Sequence, residues 1–382
     1  MSNINYLDIT DLIGWFEHHS TPSGVQRVSL EAIRFSLNAN NVFLAWFDYE
    51  LVNWQTLNAE AYSKLSESLV AEDYSIFCSS FMKKGSISLN ANGDSLYSLG
   101  MNWMMSDCRN FINFKNAHPS NRVGIYVHDL IPLTQPQLVD DGFGKHWSTF
   151  FLNACNVVDT IFCSTIITKK KIENFYTLIG TLPKLVVNPY GLDHMPLIEN
   201  IKTSISMSDE NRINEPYLIT LGTIDTRKNQ YSLVEPWLSL SEDLVAEGWK
   251  LLFLGRINDQ RFKKMASVQS IKIYENLSDD EVFYFLSRAR GALFPTLAEG
   301  FCFPAYEVAS LGIPTVVTPL KEILEHGGSY FQYFKSLSQV DIRDQIHNLI
   351  KPEFQDTLNK NSIDKTKPDL SWDNFNRVLF NN

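Results

Sequence analysis

The sequence is short of the features that mark several function classes. It has only five cysteines, Cys78, Cys108, Cys155, Cys163 and Cys302, an odd number with no C-x-x-C pair. That argues against a disulfide frame or a cysteine-rich zinc site and fits reduced thiols. No apolar run reaches the length of a membrane span, and no basic-then-apolar leader opens the chain, so a cytoplasmic protein is expected. Positive charge is scarce. The 33 Lys and Arg against 43 Asp and Glu leave a net charge of −10. Nucleic acid wants a basic face, so no such partner is expected. There is no G-x-x-x-x-G-K-[ST] loop, no G-x-G-x-x-G after a strand, no H-E-x-x-H and no internal repeat. Nothing therefore points to a P-loop, a nicotinamide cofactor or a zinc protease. No D-x-D follows an apolar strand, so that metal-binding pattern is missing too.

What is present is strand and helix in alternation. At 382 residues the chain is long enough for two domains. Strands are expected at Asn5–Ile9, Val42–Tyr49, Asp94–Leu99, Arg122–Val127, Thr160–Ser164 and Lys184–Asn188. Helical spacing marks Val25 to Leu37, Gly142–Val157 and Thr165–Tyr176, while residues 52–93 resist placement. Residues 197–215 are polar and without period, as in a linker. A second series of strands follows at Tyr217–Leu221, Lys250–Leu254, Ile271–Tyr274, Ala292–Phe294 and Thr315–Thr318. Ser278 and Glu281 have capping-box spacing, and a helix starts at Leu320. After a polar stretch, 351–370, Trp372, Phe375 and Leu379 share one helix face. Two series of strand-helix units imply an α/β protein with two Rossmann-like domains.

The chemistry centres on Glu299-Gly300-Phe301-Cys302-Phe303-Pro304-Ala305-Tyr306-Glu307, between an apolar strand and an apolar helix. Backbone N–H groups at the helix start would favour an anion beside Glu299, and Glu307 lies two turns along the helix. Two glutamates at this spacing could also be a solvated loop capping a helix; the Gly-Phe-x-Phe-Pro between them argues against that. Arg227-Lys228 sits at a strand-to-helix turn about seventy residues earlier. Such a pair suits a diphosphate, arginine as a planar fork and lysine as a compact charge. His128-Asp129 ends a strand, where ligands bind in open α/β sheets, or else caps the next helix. Gly24 opens a helix and would let a ligand approach the backbone. Lys169-Lys170-Lys171 is a solvated helix face or a contact for anionic lipid head groups. Cys302 reads as a small filler.

These stretches resemble family 4 retaining glycosyltransferases, whose signature is E-G-F-G-x-P-x-x-E. Cys302 stands where that family has glycine. Thr21-Pro22-Ser23-Gly24-Val25-Gln26-Arg27 resembles its T-P-x-G-I-x-R loop, and Gly222 to Asn229 its G-x-x-x-x-R-K-N turn. His128-Asp129-Leu130-Ile131-Pro132 resembles a segment of its mannosyltransferase-like members. Asn188-Pro189-Tyr190-Gly191-Leu192-Asp193 resembles the P-N-G-V-D hinge, with Tyr190 displacing the asparagine.

The resemblance implies a GT-B fold: two Rossmann-like domains facing a central cleft, with the C-terminal helix crossing back to the first. It implies an acceptor-side domain over 1–193, a nucleotide-sugar domain over 194–365 and a returning helix over 366–382. The implied activity is retaining, metal-independent hexosyl transfer without a cofactor. GDP-mannose is the favoured donor, with UDP-glucose, UDP-GlcNAc and dTDP-rhamnose open. The implied acceptor is a glycan or lipid-linked oligosaccharide of bacterial O-antigen or capsule, with peripheral contact at the inner membrane face. Arg227 and Lys228 would hold the phosphates, Glu299 the sugar and Glu307 the ribose. Gly300, Phe301, Cys302 and Phe303 would line the donor, Leu277 would meet the base, and His128 would meet the sugar. A non-catalytic nucleotide-sugar-binding module and a GT-B epimerase or phosphorylase remain the alternatives.

Overall fold

A computed structural model describes residues 4–71, 73–177, 182–195, 213–240, 244, 247–351 and 370–381. The chain forms two compact units, Met1–Gly191 with Asp369–Asn382, and Leu192–Pro368.

The first unit is built on an eight-stranded sheet. Its strands are β1 (Asn5–Asp8), β2 (Val42–Asp48), β3 (Asn53–Leu57), β4 (Ser86–Ser88), β5 (Ser95–Ser98), β6 (Arg122–Tyr126), β7 (Thr160–Cys163) and β8 (Lys184–Val187). They lie in the order β4-β3-β2-β1-β5-β6-β7-β8. From β2 to β8 every pair is parallel, with Asp8 opposite both Ala45 and Ser98. A parallel sheet is covered on both faces, which explains unbroken runs such as Val123 to Val127. The antiparallel strands β3 and β4 extend one edge. They fall in the stretch that resisted placement. The β2–β3 turn, Tyr49-Glu50-Leu51-Val52, carries no Gly, Asn or Pro. Asp48 shapes it instead, accepting from the N–H groups of Glu50 and Leu51 at 2.9 Å each. The sequence also gives no sign of the helix Thr10–Phe16, which follows β1 directly.

The helix Trp372–Phe380 belongs to this first unit. Ser371 caps it, and Trp372, Phe375, Leu379 and Phe380 are buried. Phe380 stacks on Phe35 and meets Tyr97 edge-on. Two buried amides pin its carbonyls: Asn5 donates to Phe380 O at 3.2 Å and Asn188 to Phe375 O at 3.1 Å. The expected return of the C-terminal helix to the first unit is what the structure shows.

The second unit holds β9 (Tyr217–Leu221), β10 (Lys250–Leu254), β11 (Ile271–Tyr274), β12 (Gly291–Phe294), β13 (Thr315–Val317) and β14 (Gln332–Tyr333). All pairs are parallel, in the order β11-β10-β9-β12-β13-β14. Counted within the unit, that is the dinucleotide-type order 3-2-1-4-5-6. Ser278 and Glu281 do form a capping box on the helix Asp279–Arg288. After Asn229 the chain makes a 3-10 turn, Gln230–Leu233, before the short helix Val234–Ser239, where the sequence suggested a helix at once. Most of the polar stretches 197–215 and 351–370 lies outside the described residues.

Candidate functional site

Strand order in the second sheet reverses between β9 and β12, the position where open α/β sheets bind ligands. The loops leaving these two strands are sewn together there. Leu297 N–H donates to Arg227 O at 2.8 Å. Asn229, in the left-handed region at φ 55°, donates its amide to Pro295 O at 3.1 Å. Lys228 N–H is held by Asp225 Oδ1 at 2.7 Å. Glycine is required beside them: a Cβ on Gly255 (φ +147°) would fall 2.2 Å from the Gly222 carbonyl oxygen.

This framework aims Arg227 and Lys228 at Glu299. Lys228 Nζ is 2.6 Å from Glu299 Oε1, and Arg227 Nη1 is 3.0 Å from Oε2. Thr296 Oγ1 also donates to Oε1 at 2.9 Å, and Arg227 Nη1 to Ala298 O at 2.9 Å. Burial pushes the Glu299 carboxyl up, but the Lys228 and Arg227 charges outweigh it and hold it at about 2. Two cations against one carboxylate leave one net positive charge. Arg227 keeps 22% of its side chain exposed while Glu299 keeps 6%. The cluster therefore turns its positive side outward.

The helix Phe303–Ser310 starts next to this cluster, with no side-chain cap on its first turn. Cys302 is its N-cap, at φ 69° and ψ 50°. That is the left-handed conformation a glycine takes freely, so cysteine follows the same path at some cost in strain. Burial raises its thiol to about 12, in keeping with a filler. Gly300 and Phe301 are buried; Phe301 stacks on Tyr306 and lies 5.7 Å from the His326 ring. On the next turn Glu307 Oε1 meets His194 Nε2 at 3.1 Å. The His194 ring lies nearly parallel to Phe303, 5.6 Å between centroids. Leu277 is half-buried in the loop after β11. The structure thus brings Arg227, Lys228 and Glu299 into contact and places Gly300 to Glu307 beside them.

The remaining expected residues lie in the first unit. His128 uses both ring nitrogens: Nε2 is 2.7 Å from Leu99 O and Nδ1 2.6 Å from the Tyr190 hydroxyl. A carbonyl only accepts, so Nε2 carries the proton and Tyr190 donates to Nδ1. Burial lowers the imidazole to about 4, so it is neutral. Tyr190, the departure from the hinge pattern, is thus the partner of His128. Asp129 accepts from Ile131 N–H at 2.9 Å, at the start of the short helix Ile131–Thr134. Gly24 opens the helix Gly24–Ser36; an added Cβ would meet nothing within 4 Å, and no positive φ requires glycine there.

Sequence reasoning missed Thr296, His194 and the pair Asp8 and Asp11. The aspartates lie where the first sheet reverses order, between β1 and β5. Asp8 accepts from Thr10 N–H and Oγ1 and from Ser98 Oγ. Asp11 Oδ2 accepts from Met101 N–H at 3.3 Å and Gln26 at 3.4 Å. Burial, then the Asp8 charge, raises Asp11 to about 7. Gly100 leaves room for it: a Cβ there would lie 1.8 Å from Asp11 Oδ2. Two aspartates flanking a strand end were the available signal. His194 had none, since its partner lies 113 residues away.

A family model described as "Glycosyl transferases group 1" matches residues 215–351. No curated protein matches the chain in sequence. Solved structures match over nearly its whole length. HepE of Anabaena, in complex with UDP and glucose, aligns at 12% identity over 99% of this chain and 98% of that one, with a TM-score of 0.63. Sucrose-phosphate synthase of Thermosynechococcus elongatus aligns at 13% identity over 99% and 97%, with a TM-score of 0.62. The N-terminal domain of Candida albicans trehalose-6-phosphate phosphatase aligns at 10% identity over 99% and 96%, with a TM-score of 0.59. With its two Rossmann-like sheets and returning C-terminal helix, the chain has the GT-B fold.

Proposed function

We propose that the chain is a retaining glycosyltransferase that moves a hexose from a nucleotide-diphosphate sugar to an acceptor hydroxyl. The observation that carries this reading is the convergence of Arg227 and Lys228 on buried Glu299 at the switch point of the second sheet. The match of residues 215–351 to the group 1 glycosyltransferase model supports it.

In the reaction the bond from the anomeric carbon to the diphosphate oxygen breaks, and its electron pair leaves with the diphosphate. Arg227 and Lys228 stabilise the growing negative charge, aided by the uncapped start of the helix Phe303–Ser310. Glu299 holds the two cations in place and accepts from sugar hydroxyls. Glu307 accepts from the ribose hydroxyls, Leu277 flanks the base, and His128 meets the sugar as a neutral, fixed ring. The acceptor oxygen bonds to the anomeric carbon on the face the diphosphate leaves, and its proton passes to the departing phosphate. No metal is needed in this scheme, because the cations do its work. Cys302 takes the left-handed conformation open to a glycine, so this departure from the signature does not by itself favour a module that only binds.

The favoured donor is GDP-mannose and the favoured acceptor a lipid-linked glycan of a bacterial surface polysaccharide. Such an acceptor implies peripheral contact with the inner membrane face, where the exposed Lys170 would face anionic head groups. Among the described residues no helix is long and apolar enough to cross a membrane.

The test is thermal stabilisation by GDP, UDP, dTDP and their sugars, with and without a chelator, since a ligand of the native state raises the midpoint. The expected result is a shift from one nucleotide family that survives chelation and is lost in Lys228→Ala. No shift from any nucleotide would sink the reading.

A further inference from the structure

We propose that His194 is a positioning residue that fixes the Glu307 carboxylate for ribose; this rests on the reading of Glu307 as the ribose acceptor. Glu307 is a long side chain one turn into a short helix, and its carboxylate must face two hydroxyls at once. His194 Nε2 donates to its Oε1 at 3.1 Å. Phe303, on the same helix as Glu307, sets the plane of the imidazole by stacking at an interplanar angle of 16°. Both partners are largely buried, with 9% and 12% of their side chains exposed. The hydrogen bond from His194 restricts the rotation of the Glu307 carboxylate, which as an acceptor-only group suits ribose hydroxyls.

Holding a ligand-binding group in its bound orientation before the ligand arrives raises affinity without new ligand contacts. His194 is the third residue of the second unit, at its N-terminal end. The ribose subsite is thereby built from the helix Phe303–Ser310 and from the N-terminal end of the second unit, not from the helix alone.

The experiment is calorimetric titration of the full chain with UDP and GDP and with their 2′,3′-dideoxy forms. The variants are Glu307→Ala, His194→Phe, His194→Gln and the double variant Glu307→Ala/His194→Phe. His194→Phe keeps a ring against Phe303 but removes the donor; it is expected to weaken the ribonucleotide about tenfold. Binding of the dideoxy form should stay the same. His194→Gln, which retains an N–H donor, should recover most of the loss. The double variant should bind no more weakly than Glu307→Ala. Equal weakening of ribo and dideoxy forms would overturn the proposal in favour of a purely structural role. Unchanged or tighter binding in His194→Phe, with Glu307→Ala still impaired, would overturn it as well while leaving the ribose reading intact. If Glu307→Ala itself binds the ribonucleotide normally, the ribose reading fails and the proposal with it.

Discussion

Both sheets reverse strand order once, and the two reversals have opposite electrostatics. At the second, a buried carboxylate faces two cations and is held at about 2. At the first, a buried carboxylate faces another carboxylate and is raised to about 7. The backbone arrangement is of one kind, a crevice at the carboxyl ends of parallel strands. What differs is the set of side chains placed there. An outward net positive charge suits a phosphate, whereas a protonated or singly charged acidic pair suits hydroxyls. The two sheets share one kind of strand reversal, and the buried side chains beside each give it a different charge.

The comparison breaks most visibly if the cations are dispensable. Lys228→Ala is expected to lower kcat/KM about 10²- to 10³-fold, read in a donor-transfer or donor-hydrolysis assay. A loss of under about threefold would leave the second crevice without its assigned role.

Next in size is stability of the second unit. Glu299→Ala leaves Arg227 and Lys228 side by side without their carboxylate. The expected loss is about 2–4 kcal/mol in urea unfolding, reduced from the fully buried case because Arg227 is partly exposed. The acid limb should carry the same signature. Glu299 has a lowered pKa, so its contribution is present above the ordinary glutamate value and is lost as pH falls from there towards about 2.

Asp11 should show the opposite slope. Its pKa is raised, so the folded state keeps a proton that the unfolded chain releases. Stability is full below the ordinary aspartate value and falls as pH rises through about 7. Asp11→Asn should therefore gain about 1–3 kcal/mol over the parent at pH 8 and nothing at pH 4. A gain that does not change with pH would show that Asp11 is not the titrating group.

The smallest effect concerns thiol chemistry. Cys78 is half-buried, while Cys108, Cys155, Cys163 and Cys302 are buried. Peptide mapping after brief native labelling with maleimide should find Cys78 modified and Cys302 untouched. Rapid labelling of Cys302 would contradict its raised pKa and its role as filler.

Much of this was legible in the sequence because the relevant signals are local. Parallel strands buried on both faces read as apolar runs, and the Arg227-Lys228 and Glu299 to Glu307 stretches each sit at a strand end. The edge strands were not legible, since Asp48 shapes their turn without a glycine. The helix Thr10–Phe16 was missed because its start is organised by the Asp8 side chain two residues before it. His194 could not be read at all, because only folding brings it to Glu307. Tyr190 looked like a flaw in a motif until its hydroxyl was seen on His128.

The placement of the helix Trp372–Phe380 has a consequence for biosynthesis. Residues of the first unit are made both before and after the second unit. A nascent chain that has emerged only as far as Gly191 lacks the ring that covers Phe35 and Tyr97, and lacks the backbone carbonyls that Asn5 and Asn188 hold. The second unit meets no such delay. It is one continuous stretch of chain, and the first unit, though begun earlier, is completed only after it.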